Sequence, residues 1–247
     1  MKKHSAAYRF SDGKVIPLFA NGVPGGALVG TYTPASDATR YFKRMIDLVF
    51  SLSILVFGLP FYALIAALIK LTSEGPVLFV QERVGKDGRP FRFYKFRTMT
   101  VDSTDNRHRD FAENFIKGKV MELRDEAGRP VYKIPHDPRV TSIGQFLRRT
   151  SLDELPQFIN VLKGEMSLVG PRPPLTYEYS YYKEWHKARL VVRPGLTGLW
   201  QVSGRSTVPF DEMVMLDLYY IDNWSLALDL KIVFRTLPVM LFGYGGY

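Results

Sequence analysis

The chain is 247 residues long, carries a formal charge of +9 and contains no cysteine. That length holds one sizeable domain with at most an accessory piece, and the missing cysteine excludes a disulfide framework or a thiolate metal site and fits a reducing compartment. The positive charge implies acidic partners: nucleotide, anionic lipid headgroups or nucleic acid.

Residues 1–10 carry charge without an apolar stretch, so they are not a secretory signal. Residues 1–38 are rich in Gly, Pro, Ser and Thr without periodicity and read as a weakly structured extension, which leaves 39–247 as the main domain. From Leu48 to Ile69 there is no charged residue. At ~1.5 Å per residue this run covers about 33 Å, enough for a hydrocarbon core of about 30 Å. Gly58 and Pro60 stand at its centre. Pro60 lacks a donor and its ring opposes the Val56 carbonyl, so a break is expected there. Arg40, Lys43 and Arg44 precede the run, and Lys70, Arg83, Lys86 and Arg89 follow it. Positive flanks on both ends favour a helix, about residues 44–71, that enters the bilayer and returns over one that spans it. Asp47 reads as an interfacial charge paired with Lys43 or Arg44.

Val77–Val84 and Pro90–Phe96 flank a Gly-containing turn and predict a β-hairpin. Its arginines read as a solvated basic edge that blocks strand addition, whereas Lys95, among aromatics, is placed to reach an anion. The charged stretch 101–136 predicts a surface helix near 109–123 and then a loop. Residues 137–149 predict a short helix with Ile143, Phe146 and Leu147 on one face, pointing Arg148 or Arg149 at the next loop. The tail from Asp222 to Phe242 predicts an amphipathic helix in a headgroup layer.

The stretch Ser151-Leu-Asp-Glu-Leu-Pro-Gln157 admits two readings. Ser151 and Glu154 match a capping box, a common helix start with no chemistry. Pro156 weighs against it, because a proline so early moves the helix start to Asp153 or later. Leu155, Phe158, Ile159 and Leu162 then form an apolar stripe. Asp153 and Glu154 would sit at a helix N-terminus, where a phosphate binds only if a cation offsets the carboxylates. Mg²⁺ is the natural one, a carboxylate there can attack phosphorus, and Arg148 and Arg172 would hold the phosphate charge.

Four stretches together resemble the bacterial sugar transferase family of monotopic phosphoglycosyl transferases: Lys95-Phe-Arg-Thr-Met99, Ser151-Leu-Asp-Glu-Leu-Pro-Gln157, Ser167-Leu-Val-Gly-Pro-Arg-Pro173 and Arg193-Pro-Gly-Leu-Thr-Gly198. The resemblance covers about residues 40–240. It implies transfer of a sugar 1-phosphate from a UDP-sugar to polyprenyl (undecaprenyl) phosphate with release of UMP, starting exopolysaccharide, capsule, O-antigen or glycoprotein glycan assembly. Asp153 would form a covalent phosphosugar intermediate; Glu154 would assist and, with Asp153, hold Mg²⁺. Lys95, Arg148, Arg172, Arg193 and Arg205 would bind substrate. The expected fold is α+β and mainly helical, with a small hairpin, one re-entrant helix broken at Pro60 and interfacial amphipathic helices. The expected location is the bacterial cytoplasmic membrane, catalytic face inward. Family members often place serine before the helix-breaking proline; here it is Leu59, and Ser51, Ser53 or Tyr62 would compensate. The multi-helix bundle of larger relatives has no counterpart, so the chain reads as the small catalytic-core form. Competing functions are transfer of the glycosyl group alone, for which the usual Asp-x-Asp motif is missing, and a non-catalytic membrane scaffold. Nucleic acid is not an expected partner, because no recognisable module appears. A homodimer and the identity of the sugar stay open.

Overall fold

The uncharged run folds as two helices, α1 (Asp37–Phe57) and α2 (Leu59–Thr72), bent by 61° across Gly58. This computed structural model describes residues 8–11, 14–17, 36–100, 107–119, 123–124, 130–132, 137, 139–204 and 207–242. Ser36 caps α1 by accepting from the Thr39 amide. A Cβ at Gly58 would stand 2.4 Å from the Ile54 carbonyl oxygen and 2.9 Å from the Tyr62 ring, so the bend requires glycine there. Pro60 falls in the first turn of α2, where its missing donor costs no helical bond. Of the three residues expected to compensate for Leu59, Tyr62 caps the break: its hydroxyl donates to the Ile54 carbonyl at 3.2 Å. Ser53 bonds the Val49 carbonyl within its own helix, and Ser51 Oγ is buried without a hydrogen bond among the described residues.

Large apolar side chains cover the outside of this pair; Phe57 is 84% and Leu71 83% exposed. Among the described residues no single helix is long and apolar enough to cross a membrane, but the bent pair passes by length and composition. Both of its feet are fastened to the same body. Arg44 donates to the carbonyls of Val161 and Leu162 at 2.7 and 3.0 Å, and Lys43 Nζ pairs with Asp229 at 2.5 Å. At the other end, Arg97 donates to the Ser73 carbonyl at 2.7 Å. Asp47 feels the charge of Lys43 as expected, but it is not an interfacial group. It is buried, and accepts from the Leu168 amide at 3.1 Å.

β3 (Leu78–Val84) and β4 (Pro90–Phe96) form the expected antiparallel hairpin, with Lys95 opposite Phe79 and Arg83 opposite Phe91. Its turn uses left-handed backbone at Asp87 and Gly88. The basic edge is a correction: Arg83 and Arg97 are buried, Arg83 lying over the Phe93 ring and donating to the Pro173 carbonyl at 2.6 Å. A remote segment covers this end of the hairpin, joined by the Arg83–Leu175 bridge and the Val84 amide to Pro174 carbonyl bond.

A further antiparallel pair, β1 (Tyr8–Ser11) with β2 (Lys14–Pro17), lies within the N-terminal extension. The helix expected near 109–123 is α3 (Arg107–Ile116), with left-handed Gly118 just past its end. Where a loop was expected, β5 (Leu123–Arg124) pairs with β6 (Pro130–Val131). α4 (Ser142–Arg149) is capped by Thr141, and its apolar face differs from expectation: Leu147 is buried with Ile143 packed beside it, while Phe146 is exposed.

α5 (Phe158–Lys163) ends at left-handed Gly164. Of the predicted stripe only Phe158 is fully buried; Asn160 and Val161 supply the rest of the inward face. Asn160 clamps α5 to β4, donating to the Arg92 carbonyl at 2.6 Å and accepting from the Tyr94 amide at 3.3 Å. Next comes β7 (Ser167–Val169), which pairs in parallel with β8 (Gly195–Thr197). Two of the four motif stretches thus meet edge to edge. Their approach depends on glycine, because a Cβ at Gly195 would lie 2.0 Å from the Gly170 amide nitrogen. Neither backbone can retreat, so Gly195→Ala should cost about 1–3 kcal/mol and lower the melting temperature by several degrees. Thermal unfolding checks this; an unchanged midpoint would contradict the contact.

Beyond β7, the short helices α6 (Thr176–Ser180) and α7 (Glu184–Lys187) precede β8, and α8 (Leu199–Ser203) follows it. α9 (Phe210–Asp222) forms the main core with Ile116, Val169, Leu199 and Ile232. Asp222 ends α9 rather than opening the tail helix; α10 (Leu226–Phe242) begins after Ser225. α10 turns Ile232 inward and leaves Leu230, Phe234 and Leu237 exposed. The chain is mainly helical with small two-stranded sheets, an α+β architecture.

Candidate active site

Three separate stretches of chain converge on one polar group. On β4 the inward positions alternate, so Phe91 and Phe93 are buried and Lys95 comes next on the same face. Asp153 and Glu154 lie on a 3-10 turn, Leu152–Gln157, with the α-helix starting only at Phe158. No capping box forms. Ser151 is left-handed (φ +57°) and its side chain makes no cap. The Glu154 side chain reaches Lys95 at 2.8 Å and Arg172 at 3.3 Å instead of turning back. The third stretch is Gly170-Pro-Arg172, held in place by the β7–β8 pair.

Lys95 Nζ also approaches Asp153 Oδ2 at 3.4 Å, so one ammonium bridges both carboxylates. Arg148, in the last turn of α4, donates to Thr98 Oγ1 at 2.9 Å and acts electrostatically on Asp153. The two adjacent carboxyls are driven apart in acidity. Burial pushes Asp153 above its usual range against the pull of Lys95, and the Glu154 charge adds to the rise. Burial alone would raise Glu154 too, but Lys95 and Arg172 outweigh it and hold that carboxyl below the usual range. Asp153 is therefore the more basic carboxylate of the two, and Glu154 stays an anion between Lys95 and Arg172.

The donor set bears on a metal. Among the described residues there is no group of three or more His, Cys, Asp or Glu side chains able to hold an ion. Two neighbouring carboxylates suit a cation that takes one or two protein oxygens and completes its shell with phosphate and water, as Mg²⁺ does. Asp153 and Glu154 would be its ligands.

Lys95, Arg148, Arg172, Asp153 and Glu154 are thus brought together. Arg193 is exposed ahead of β8, its charge beside that of Arg44, and the described contacts do not join it to the group. Arg205 lies outside the described residues. Sequence reasoning missed Arg83, which sits behind the site and acts electrostatically with Arg172 and Glu154. It also missed Asn160, whose clamp sets the turn against Lys95. A polar residue at an inward helical position was the signal for Asn160; for Arg83 the alternation Phe91, Phe93 across the strand was the only one.

Comparison with known proteins agrees with this geometry. The model of the family described as bacterial sugar transferase matches residues 38–243, which include all three converging stretches. The chain is 46% identical over 205 residues to a galactosyl transferase, CpsE, of Streptococcus agalactiae, covering 82% of this chain and 43% of that protein. It is 42% identical over 226 residues to the UDP-glucose:undecaprenyl-phosphate glucose-1-phosphate transferase of Escherichia coli, covering 88% of this chain and 43% of that one. With the exopolysaccharide production protein ExoY of Rhizobium meliloti the identity is 42% over 206 residues, covering 83% of this chain and 88% of ExoY. The chain spans less than half the length of the first two. Since the family model matches residues 38–243, most of the chain and all three converging stretches, the chain belongs to the bacterial sugar transferase family.

Proposed function

We propose that this protein transfers a hexose 1-phosphate from a UDP-sugar to undecaprenyl phosphate at a membrane surface, releasing UMP. The observation that carries the reading is the Lys95–Asp153–Glu154–Arg172 group: a basic, buried carboxylate beside cations matched to a diphosphate. The Escherichia coli relative is named for this substrate pair.

In the first step an Asp153 oxygen attacks the sugar-bearing phosphorus. The bond from that phosphorus to the bridging oxygen breaks, and UMP leaves with the electron pair. Lys95 and Arg172 stabilise charge on the departing and equatorial oxygens, Arg172 offering a planar fork. In the second step an oxygen of undecaprenyl phosphate attacks the same phosphorus and Asp153 leaves as a carboxylate. Mg²⁺, when held by Asp153 and Glu154, supplies further neutralisation of the diphosphate charge.

The bent α1–α2 pair is read as a re-entrant hairpin, which brings a lipid phosphate to this group. Two things support this: its outward faces are apolar, and both its ends are tied to the same body through Arg44, Lys43 and Arg97. The exposed Leu230, Phe234 and Leu237 would place α10 in the headgroup layer, with the site on the cytoplasmic face.

The test is incubation of purified protein with a panel of UDP-sugars, undecaprenyl phosphate and Mg²⁺. UMP should appear with one or more hexoses; UDP as the product would mean glycosyl transfer alone, and no nucleotide with any sugar would sink the reading. A pH prediction follows from Asp153, which must be ionised to attack. The Lys95 ammonium lowers the Asp153 pKa, so Lys95→Met should raise it. The acid limb of kcat/KM for the UDP-sugar then moves to higher pH, beside an overall loss of rate. A limb that stays in place, or moves down, contradicts the coupling.

A further inference from the structure

The cationic surface does not end at Arg172. His108, in the first turn of α3, stands with Nδ1 2.6 Å from the Tyr177 hydroxyl in the first turn of α6, the two rings nearly perpendicular at 80°. Arg83, Arg139 and Arg148 act electrostatically on that imidazole from β3, the loop before α4, and α4, with Glu178 opposing them from α6. Arg83 interacts electrostatically with Tyr177, Glu178, Arg172 and Glu154, so it stands between the carboxylate pair and the His108–Tyr177 contact. The β-hairpin gives this arrangement a direction. Lys95 faces Phe79, and Arg83 lies four positions further along β3, about 13 Å away at ~3.3 Å per residue. The α1–α2 hairpin packs at the Lys95 end, where Phe96 meets Ile65, Ile69 and Tyr62, whereas α6 joins the strand at the Arg83 end.

We propose that His108 and Tyr177 seat the nucleoside half of the UDP-sugar, at the α6 end of the β-hairpin, on the far side of Asp153 from the α1–α2 pair. This rests on the proposed function and adds which way the donor lies. The sugar-bearing phosphorus must meet Asp153, and the lipid phosphate must reach that atom from the α1–α2 side. The second phosphorus and the nucleoside then extend away from the hairpin, towards α3 and α6. There the imidazole and phenol, held perpendicular by their mutual hydrogen bond, offer a ring face for a pyrimidine, with the imidazole Nε2 as the remaining polar edge for its carbonyls or ribose hydroxyls. Arg83 and Arg148 supply positive field under the diphosphate between the two ends, while the charge of Arg139 is matched by Asp137 at 2.5 Å. UMP, once cleaved, leaves on the side opposite the incoming lipid, so the two substrates do not share an entrance.

The experiment compares His108→Ala and Tyr177→Leu with the parent in the full chain, using UMP and inorganic pyrophosphate as separate competitive probes. The UMP inhibition constant and the KM for the UDP-sugar should each rise about tenfold, with kcat falling less than KM rises. The pyrophosphate inhibition constant should move by less than about twofold, because the diphosphate path is untouched. Equal weakening of UMP and pyrophosphate would overturn the assignment by showing a general change in charge or fold, and an unmoved UMP constant would overturn it directly. If Tyr177→Leu fails to fold, His108→Gln, at an exposed position, carries the same comparison. Turnover by the parent keeps the two readings apart: without UMP release from any UDP-sugar the proposed function fails, while release with an unmoved UMP constant in the variants removes only this seat.

Discussion

Asp153→Asn should abolish turnover, with a loss of roughly 10⁴-fold or more in kcat and little change in melting temperature. The amide has the same shape as the carboxylate and can still accept from Lys95, but it cannot form an acyl phosphate. A lesser role for Asp153 carries a smaller effect. If this carboxylate only oriented Lys95, or only helped to hold a metal, Glu154 would remain to do part of the work. Asn retaining more than about a hundredth of the parent rate would therefore assign Asp153 a supporting role. Burial strengthens the expectation. Asp153 is 6% exposed and burial raises its pKa against the pull of Lys95, so its ionised carboxylate is shielded from water.

The second large effect concerns stability and lies away from the site. Arg189 and Asp217 form an ion pair inside the main core, both almost completely buried, with Arg189 also donating to the Tyr182 hydroxyl at 3.1 Å. Removing one partner strands a buried charge, which costs about 3–5 kcal/mol. The two single changes should differ. After Arg189→Met, Asp217 can relieve its position by taking a proton, since burial already pushes its carboxyl up to about 6. After Asp217→Leu, Arg189 has no such escape, because a guanidinium does not deprotonate in a protein. Asp217→Leu should thus lower the melting temperature by about 10 °C or more, with Arg189→Met milder and the double replacement recovering part of the loss. Thermal unfolding of the three variants decides it; equal effects of the two single changes would contradict the asymmetry.

Much of the site was legible because its residues sit in compact motifs, and less of their support was. Pro156 correctly argued against the capping box, yet nothing local announced a left-handed Ser151, so the 3-10 turn replaced an expected helix start. The break at Gly58 and Pro60 was readable from backbone chemistry alone, and Tyr62 was among the residues anticipated as its compensation. Arg83 was misread as a solvated edge charge because its cover, Pro173 to Leu175, lies some ninety positions away in sequence. Asp47 was misplaced in the same way: beside the charge of Lys43, its hydrogen-bond partner is a strand amide 121 residues on. β7 and β8 are three residues each, too short for a periodic signal, although glycines at their contact let the two stretches approach so closely. Local chemistry wrote itself into the sequence; partners brought in by the fold did not.

Those distant partners give the site its rigidity. The Arg44 bonds to Val161 and Leu162 fix the end of α5, Asn160 fixes its middle to β4, and Asp47 fixes β7 ahead of Arg172. The apolar hairpin and the carboxylate turn are therefore parts of one framework, as a reaction between a lipid-borne phosphate and a water-borne nucleotide requires.

A covalent phosphosugar on Asp153 is tested most directly without the lipid acceptor. Protein mixed with UDP-sugar radiolabelled in the sugar, with Mg²⁺ and no undecaprenyl phosphate, should release about one equivalent of UMP in a burst. It should also carry the label on a peptide containing Asp153, and later addition of undecaprenyl phosphate should discharge that label into lipid. UMP release that occurs only when both substrates are present, with no labelled protein at any time, would contradict the covalent mechanism and establish direct transfer.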